Sequence, residues 1–317
     1  MATPMLTTRV LLTEDRLAQD FLAALERRAL PEKFFYWFPT SVRAWLNLCS
    51  DGAYRNYVRS HGLVQAHAAD IAAHLPEGRV TVVSLGAGQG DKDRLVLEQM
   101  RASGRRPHYV PVDASQSLLE MACGAADAAG LPCQGVKADM ADAGHLAAVG
   151  DASPGPRLWM MLGNTLGAFD PPAYARALAR LLRPDDHLLI DGEIFSDTGT
   201  LAGYDNPLNR QFAFGPLRGA GLVEPDDGVL RFETGEDDSR PGLFRLRKHF
   251  LPARDLTLQV AGETVRWREG QRVEMNWSCK YARETFLALL ADAGLAPVAT
   301  YASADGRFVM ALTRLAG

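Results

Sequence analysis

Short apolar runs alternate with helix-type patterns through the middle of this 317-residue chain. Each run has the length of a buried strand, and the segments between the runs carry apolar residues at intervals of three or four. Strands that alternate with helices in this way predict an α/β fold with a parallel, doubly wound sheet. The five predicted strands cover residues 80–85, 108–113, 134–138, 158–162 and 187–195.

Three more elements of the same type come late in the chain. A helix at 282–293 and strands at 297–301 and 307–313 are predicted to close the sheet, the two strands as a hairpin. The insertion that precedes them, 196–281, is far longer than an ordinary loop of about 4–6 residues, and short alternating segments recur in it. We therefore expect the insertion to be structured.

The domain organisation follows from the position of that insertion. A first domain is predicted from residues 61–195 and 282–317. Residues 1–60, helical in pattern at 13–29, precede the first of these strands and are expected to join residues 196–281 in a second domain. We expect this second domain to bind the substrate and to act as a lid at the edge where the parallel strands end.

A glycine-rich turn follows the first predicted strand and opens a helical pattern. Gly86, Gly88 and Gly90 allow the backbone to turn sharply and to approach a ligand, and the start of the next helix favours electronegative groups. A dinucleotide fingerprint requires its third glycine three residues after the second, where this chain has Asp91. The second strand ends at Asp113, whose carboxylate could accept hydrogen bonds from both hydroxyls of a ribose. These features predict a site for S-adenosylmethionine and disfavour NAD.

Composition narrows the class of partner. The net charge of −4 provides no basic surface for nucleic acid, so a small substrate is favoured. The four cysteines form no C-x-x-C pair and the seven histidines have no metal-ligand spacing, so no metal site is predicted. No apolar stretch reaches the roughly 20 residues that span a membrane, and the N-terminus lacks the apolar core of a signal peptide. We expect a cytoplasmic protein without a membrane partner.

Several motifs resemble those of a known family, the histidine Nα-methyltransferases of ergothioneine biosynthesis and their relatives that act on tryptophan or ergot-alkaloid precursors. The motifs extend over most of the chain and are LGAGQGDKDRLVL, YVPVDASQSLLEMA, LGNTLGAFDP, GYDNP, WSCKY and DGRFVMAL. The resemblance implies a class I S-adenosylmethionine-dependent methyltransferase, with a Rossmann-like doubly wound sheet. It also implies a second, substrate-binding domain built from the N-terminus and the long insertion.

The same resemblance indicates candidate cofactor residues. They lie in or beside the turns that follow the first four strands, and they are Gly86, Gly88, Lys92, Asp113, Asp139, Met140 and Gly163. Among them, Asp113 is expected to hold the ribose of S-adenosylmethionine, and Asp139 with Met140 is expected to frame its adenine.

Candidate substrate residues also come from the resemblance. Tyr204 in GYDNP matches a tyrosine that faces the amino acid substrate, and Ser278 in WSCKY matches a serine that contacts the substrate side chain. Tyr36 matches another tyrosine of the pocket, and either Tyr54 or Tyr57 matches a second one.

Two positions depart from the family pattern. The glutamate that binds the imidazole of histidine in the family falls at Asn276, and the asparagine that contacts the substrate backbone falls at Ala168. Asn276 and Ser278 alternate along a strand and can share one face, so we expect both to contact the far end of the substrate. Tyr204 and Asn164 are the candidates for holding the group that receives the methyl. Without a carboxylate at position 276, histidine is predicted to be a poor acceptor.

The predicted function is therefore an S-adenosylmethionine-dependent N-methyltransferase that acts on an amino acid or a related small amine other than histidine. Methyl transfer is an in-line displacement in which the enzyme mainly aligns the reacting groups, so neither a metal nor a protein nucleophile is required. Two alternatives stay open: an enzyme that uses the same cofactor for cyclisation or another group transfer, and a non-catalytic protein that binds the cofactor.

Overall fold

Eight strands form the larger sheet of the computed structural model, which describes residues 8–52, 54–238 and 240–317. Within these residues there are also a two-stranded and a three-stranded sheet. The strands in chain order are β1 (Thr8–Val10), β2 (Arg79–Leu85), β3 (Arg106–Asp113), β4 (Gly135–Lys137), β5 (Arg157–Met161), β6 (His187–Glu193), β7 (Gly228–Glu236), β8 (Leu243–Pro252), β9 (Leu256–Val260), β10 (Glu263–Trp267), β11 (Val273–Tyr281), β12 (Leu295–Ala302) and β13 (Phe308–Leu315).

Helices connect most of these strands. In chain order they are α1 (Glu14–Arg27), α2 (Pro39–Ser50), α3 (Arg55–His74), α4 (Asp91–Ala102), α5 (Gln116–Ala128), α6 (Ala143–Ala152), α7 (Pro171–Leu181), α8 (Thr200–Tyr204), α9 (Pro207–Ala213), α10 (Gly215–Gly219) and α11 (Arg283–Asp292). Short 3₁₀ helices cover Glu32–Tyr36 and Thr165–Ala168.

The chain divides into two units. The sheet unit contains the eight-stranded sheet and consists of residues 8–11, 56–194 and 281–317. The second unit consists of residues 12–55 and 195–280.

The order of strands in the large sheet is β1-β4-β3-β2-β5-β6-β13-β12. The neighbouring pairs from β1 to β6 are parallel, whereas β13 is antiparallel to both β6 and β12. Because β2 lies between β3 and β5, the strand order reverses direction at β2, and ligands of α/β sheets bind at such a switch point. The predicted α/β fold, with a doubly wound parallel sheet and a closing hairpin, is confirmed.

Strand β5 shows how burial shapes this sheet. Its sequence is RLWMM, and all five residues are buried, as in a strand covered on both faces. Its first residue, Arg157, is only 1% exposed because its guanidinium pairs with the equally buried Asp186, at 2.8 Å from Nε to Oδ2. The same guanidinium donates to the carbonyl oxygens of Gly150 and Leu181, at 2.8 and 2.9 Å. Each of the three guanidinium nitrogens thus has an acceptor at the start of the strand.

The N-terminal residues differ from the sequence prediction, which assigned all of 1–60 to the lid domain. Residues 8–10 form β1 and pair in parallel with β4, and the amide of Leu11 donates to the carbonyl of Lys137 at 2.9 Å. A three-residue strand, TRV, is too short to show an alternating pattern of apolar and polar residues, so it could not be predicted from the sequence. Residues 1–7 of that prediction lie outside the described residues.

The unit boundaries also differ by a few residues from the predicted ones. The prediction placed them after residues 60, 195 and 281, whereas the units divide after residues 55, 194 and 280.

In the second unit, the insertion contains both helices and strands. The alternating segments LFRLRKHFL, LTLQV and TVRW of the sequence lie in β8, β9 and β10. Strands β9 and β10 form a hairpin whose two-residue turn, Ala261 and Gly262, has positive φ at both positions, as the tightest hairpin turns require. The three-stranded sheet has the order β11-β8-β7, and the helices α8, α9 and α10 precede it in the chain.

Candidate active site

The turn after β2 has the backbone geometry of a ligand-binding loop. Gly86, Gly88 and Gly90 have φ values of 69°, 58° and 80°, a region that side chains disfavour. A Cβ on Gly86 would lie 3.3 Å from the terminal methyl of Met140 and 3.3 Å from the methyl of Thr165, whereas one on Gly88 would meet open space. The turn therefore brings the predicted cofactor residues Gly86 and Met140 together and leaves room beside Gly88.

Asp113 closes this turn at the end of β3. Its Oδ2 accepts from the amide of Gly88 at 3.0 Å, and its Oδ1 accepts from the amide of Ser115 at 2.9 Å. Burial raises the pKa of the Asp113 carboxyl, and the backbone donors oppose that rise. The amide of Ala114 is a third backbone donor to this carboxylate. Since a carboxylate accepts about four hydrogen bonds, acceptor capacity is left for a ribose hydroxyl.

Asp113→Ala is expected to weaken the binding of S-adenosylmethionine by about 1–3 kcal/mol, since a buried hydrogen-bond acceptor is lost. Isothermal titration calorimetry with the purified protein measures this change. Asp70→Ala serves as the control, because Asp70 accepts from the Tyr301 hydroxyl at 2.6 Å elsewhere in the sheet unit, and it should keep the affinity. Equal affinity in the Asp113 variant and the wild type would contradict the ribose assignment.

Lys92, Gly163 and Tyr57 form a second group in the sheet unit. A Cβ on Gly163, whose φ is 86°, would lie 2.8 Å from Lys92 Nζ, so glycine is needed for the lysine to occupy this position. Lys92 Nζ lies 5.6 Å from the centre of the Tyr57 ring, and the Tyr57 hydroxyl donates to Asp91 Oδ2 at 2.7 Å. Tyr57 is thus close to predicted cofactor residues, in a different unit from the other tyrosines predicted to contact substrate.

The loop after β4 holds Asp139 and Met140. The amide of Asp139 donates to His145 Nδ1 at 3.1 Å, and the Tyr174 hydroxyl donates to the carbonyl of Met140 at 2.9 Å. His145 and Tyr174 were not foreseen from the sequence, because they contact backbone atoms and no motif contains them. Their contacts fix the loop whose methionine side chain lies against Gly86.

Asn164 supports the turn after β5. It has a left-handed conformation, with φ of 60° and ψ of 29°, which asparagine tolerates better than most residues. Its amide donates to Asp191 Oδ1 at 2.7 Å, and its Oδ1 accepts from the amide of Glu193 at 3.0 Å. The Ser60 hydroxyl donates to the other oxygen of Asp191, at 2.5 Å, and burial raises the pKa of the Asp191 carboxyl. The predicted contact of Asn164 with the methyl acceptor stays a prediction.

In the second unit, one buried lysine joins two of the predicted substrate residues. Lys280 Nζ donates to the Tyr204 hydroxyl at 2.5 Å and to Ser278 Oγ at 2.8 Å. It also lies 4.5 Å from the centre of the Tyr204 ring, and its side chain is fully buried. The sequence prediction missed Lys280, although it follows Ser278 by two residues in β11 and therefore shares its face of the strand.

A carboxylate absent from the sequence prediction lies next to Asn276. Glu32 lies in the 3₁₀ helix. Its Oε1 accepts from the Tyr36 hydroxyl at 3.0 Å, and its Oε2 accepts from the side-chain Nδ2 of Asn276. Burial and the charge of Glu32 raise the pKa of Tyr36 well above its usual value. Asn276 Oδ1 is buried and has no hydrogen-bond partner among the described residues.

This contact corrects one step of the sequence argument. The site was expected to lack an acceptor charge because Asn276 replaces a glutamate in the strand motif, but Glu32 brings a carboxylate to the same side chain. The two residues are 244 positions apart, so no local motif could reveal the pair.

Aromatic side chains surround the 3₁₀ helix. The Tyr36 ring centre lies 5.3 Å from those of Trp45 and Phe212, and the rings of Trp45 and Tyr54 are 6.2 Å apart. Of the two tyrosines that the resemblance left open, Tyr54 therefore belongs to the aromatic cluster of Tyr36, whereas the contacts described for Tyr57 are with Asp91, Lys92 and His61.

A second buried lysine lies in the neighbouring strand β8. Lys248 is 5% exposed, and its Nζ lies 5.4 Å from the centre of the Phe35 ring. Burial lowers its pKa to about 8, and the charge of Glu32 opposes this effect. None of the described hydrogen bonds joins Lys248 to Tyr204 or Ser278, which distinguishes it from Lys280.

Neither a metal site nor a membrane helix was found in the part of the chain that the structure describes. No three His, Cys, Asp or Glu side chains there lie close enough together to hold a metal ion. No helix there is long and apolar enough to cross a membrane.

Comparison with known proteins gives consistent matches. The model of a family described as "Histidine-specific methyltransferase, SAM-dependent" matches residues 17–214 and 240–315. The histidine N-alpha-methyltransferase of Mycobacterium tuberculosis is 27% identical, over 93% of this chain and 94% of that protein. The N-methyltransferase fsqC of Aspergillus fumigatus is 26% identical, over 67% of this chain and 60% of that protein. An S-adenosylmethionine-dependent methyltransferase of Clostridium acetobutylicum of known structure is 12% identical, with a TM-score of 0.46 over 82% of this chain and 92% of that one.

Proposed function

Since this chain belongs to the family of histidine-specific, S-adenosylmethionine-dependent methyltransferases, we propose that it methylates the nitrogen of a small amino acid or related amine. It is an S-adenosylmethionine-dependent enzyme of the class I fold, and related proteins are N-methyltransferases. When bound, the cofactor supplies an electrophilic methyl group on a sulfonium.

The sheet unit supports this proposal through the fit of its glycine turn to that cofactor. A Cβ on Gly86 would be in tight contact with Met140 and Thr165, at 3.3 Å from each, and the space at Gly88 is open. Asp113 offers a buried carboxylate beside the same turn. We propose that Asp113 holds the ribose and that Met140, with Asp139, frames the adenine.

The proposed choice of acceptor rests on a cluster of polar groups in the second unit. It combines hydroxyl groups on Tyr204 and Ser278 with a carboxylate on Glu32 and an unpartnered acceptor, Asn276 Oδ1. A small zwitterion with a polar side chain satisfies such a mixture of donors and acceptors better than an apolar amine, because buried polar groups need partners.

The chain's task in the reaction is mainly to bind and align the acceptor. An amine can attack only through a free lone pair, so the bound acceptor must be neutral, and its proton passes to water or to a hydroxyl. We propose that Tyr204 and Asn164 hold the nitrogen that receives the methyl, and that Tyr36, Tyr54, Asn276 and Ser278 contact the rest of the acceptor. Neither a protein nucleophile nor a metal is needed for this alignment.

We propose further that the preferred acceptor is an amino acid other than histidine whose side chain donates hydrogen bonds. Glu32 and Asn276 Oδ1 together form a pair of acceptors, which favours side chains bearing N–H groups. The carboxylate comes from the 3₁₀ helix instead of β11, and Ala168 has no polar side chain. Both differences alter the positions at which an acceptor molecule would be held, so an imidazole is not expected to fit best.

A substrate panel tests these proposals in order. The protein is incubated with S-adenosylmethionine and histidine, arginine, lysine, ornithine, glutamine, tryptophan or phenylalanine, and products are identified by mass and fragmentation. We expect N-methylation, with the highest kcat/KM for an amino acid whose side chain bears N–H groups. The kcat/KM for histidine should be lower by a factor of about ten or more. Histidine as the best acceptor would contradict the substrate preference, phenylalanine as the best acceptor would contradict the role of Glu32, and no methylated product would contradict the proposed function.

A further inference from the structure

We propose that Lys280 is a positioning residue, which holds the hydroxyl oxygens of Tyr204 and Ser278 in the positions from which they contact the substrate. This inference rests on the proposed function, because it concerns how the amino acid acceptor is bound.

The geometry gives a direction to each hydrogen bond. An ammonium has three N–H donors and no acceptor, so Lys280 can only donate to the two hydroxyls. Its Nζ lies 2.5 Å from the Tyr204 oxygen and 2.8 Å from Ser278 Oγ. One lone pair of each oxygen therefore faces Lys280, and the proton of each hydroxyl points away from it.

Burial makes this orientation stable. Lys280 is fully buried and Tyr204 is 8% exposed, so little water is present to compete for the Tyr204 oxygen. The Lys280 ammonium also lies 4.5 Å from the centre of the Tyr204 ring, within the range of a cation–π interaction. Hydrogen bonds that involve an ionised donor are stronger than neutral ones, so the lysine is the group that sets the direction of both hydroxyls.

The consequence is a binding surface with a defined polarity. Ser278 and Lys280 follow Asn276 on the same face of β11 at intervals of two residues. Lys280 fixes both hydroxyl oxygens on the face that also carries the acceptor Asn276 Oδ1. The Tyr204 oxygen keeps a second lone pair, which can accept from an N–H of the amine that Tyr204 is proposed to hold, so that the lone pair of the amine stays available to attack the methyl.

A double-mutant cycle on the full-length enzyme tests the role of Lys280. The variants are Lys280→Met, Tyr204→Phe and the double variant, assayed with the best acceptor of the panel. Lys280→Met should raise the KM for the acceptor about tenfold, the size expected when a hydrogen bond loses its orientation, and leave the KM for S-adenosylmethionine unchanged. If Lys280 acts through the Tyr204 hydroxyl, the rise in the double variant should fall well short of the product of the two single rises, with the remaining effect of Lys280→Met passing through Ser278.

Lys248→Met is the matched control, since it removes another buried lysine of the same sheet, and none of the described hydrogen bonds joins that lysine to either hydroxyl. Its effect on KM should multiply with that of Tyr204→Phe. Thermal melting of every variant separates loss of stability from loss of binding. If Lys280→Met does not fold, the cycle is repeated with Lys280→Gln, which removes the charge and keeps a polar side chain.

The possible outcomes separate the role of Lys280 from the proposed function. An unchanged acceptor KM in Lys280→Met, or effects that multiply with Tyr204→Phe, would overturn the positioning role while the wild-type enzyme still methylates its acceptor. A wild type that methylates nothing in the panel would overturn the proposed function, and this inference with it.

Discussion

Glu32→Gln is expected to lower kcat/KM for the preferred acceptor by about 100-fold. Glu32 contacts both Tyr36 and Asn276, and the amide of glutamine would replace an ionised acceptor with a neutral group that also donates. Hydrogen bonds to a charged group contribute about 1.5–3 kcal/mol, which corresponds to a factor of about 10–150 in binding. The loss should be largest for acceptors with N–H groups in the side chain and small for phenylalanine, because phenylalanine makes no hydrogen bond there.

The control for this substitution is Glu233→Gln in the same unit. Glu233 accepts from Arg272 at 2.7 Å, and its side chain is 44% exposed, so the exchange should change kcat/KM little. Steady-state kinetics with an N–H-bearing amino acid and with phenylalanine measures the difference between the two variants. Equal losses for both acceptors in Glu32→Gln would show that Glu32 supports the fold and does not select the substrate.

Arg157→Met is expected to lower the free energy of unfolding of the sheet unit by about 3–5 kcal/mol. Arg157 and Asp186 are each 1% exposed, and removal of the arginine would leave a buried carboxylate without its counter-charge. Methionine fills much of the same volume, so the loss reports the charge and its hydrogen bonds more than a cavity.

Urea unfolding followed by fluorescence measures this loss, since Trp159, next to Arg157, is the one tryptophan in the described part of the sheet unit. Arg94→Met is the comparison, because Arg94 pairs with Glu98 at 2.7 Å and both side chains are nearly half exposed. It should cost at most about 1 kcal/mol. Similar costs for the two substitutions would mean that the buried pair contributes no more than a surface pair.

The fold of the sheet unit could be predicted well from the sequence because its signals are local. Each signal is contained in a few consecutive residues, as in the glycine turn, the strand that ends at Asp113 and the apolar strand β5. The hydrophobic pattern also sufficed for the order of strands and helices, since covered parallel strands are nearly continuous apolar runs. Strand β1 was not predicted, because three residues are too few to show the apolar–polar alternation of a strand.

The polar cluster of the second unit could be predicted only in part. Tyr204 and Ser278 came from motif positions, and the structure joins them through Lys280. Glu32 could not be found, because a side chain in a 3₁₀ helix has no sequence signal that relates it to Asn276 in β11. Contacts between residues far apart in the chain are set by tertiary packing, which a periodicity within one segment does not encode.

The position of β13 has a consequence for how the protein is made. β13 lies between β6 and β12, so the last strand in the chain fills an interior place in the large sheet. During synthesis, β6 therefore has an unpaired edge until residues 308–315 leave the ribosome. Unpaired edges of apolar strands are the sites at which nascent chains associate with one another. Slow translation of the intervening insertion would lengthen that exposure, and a chaperone that covers strand edges should raise the yield of native enzyme.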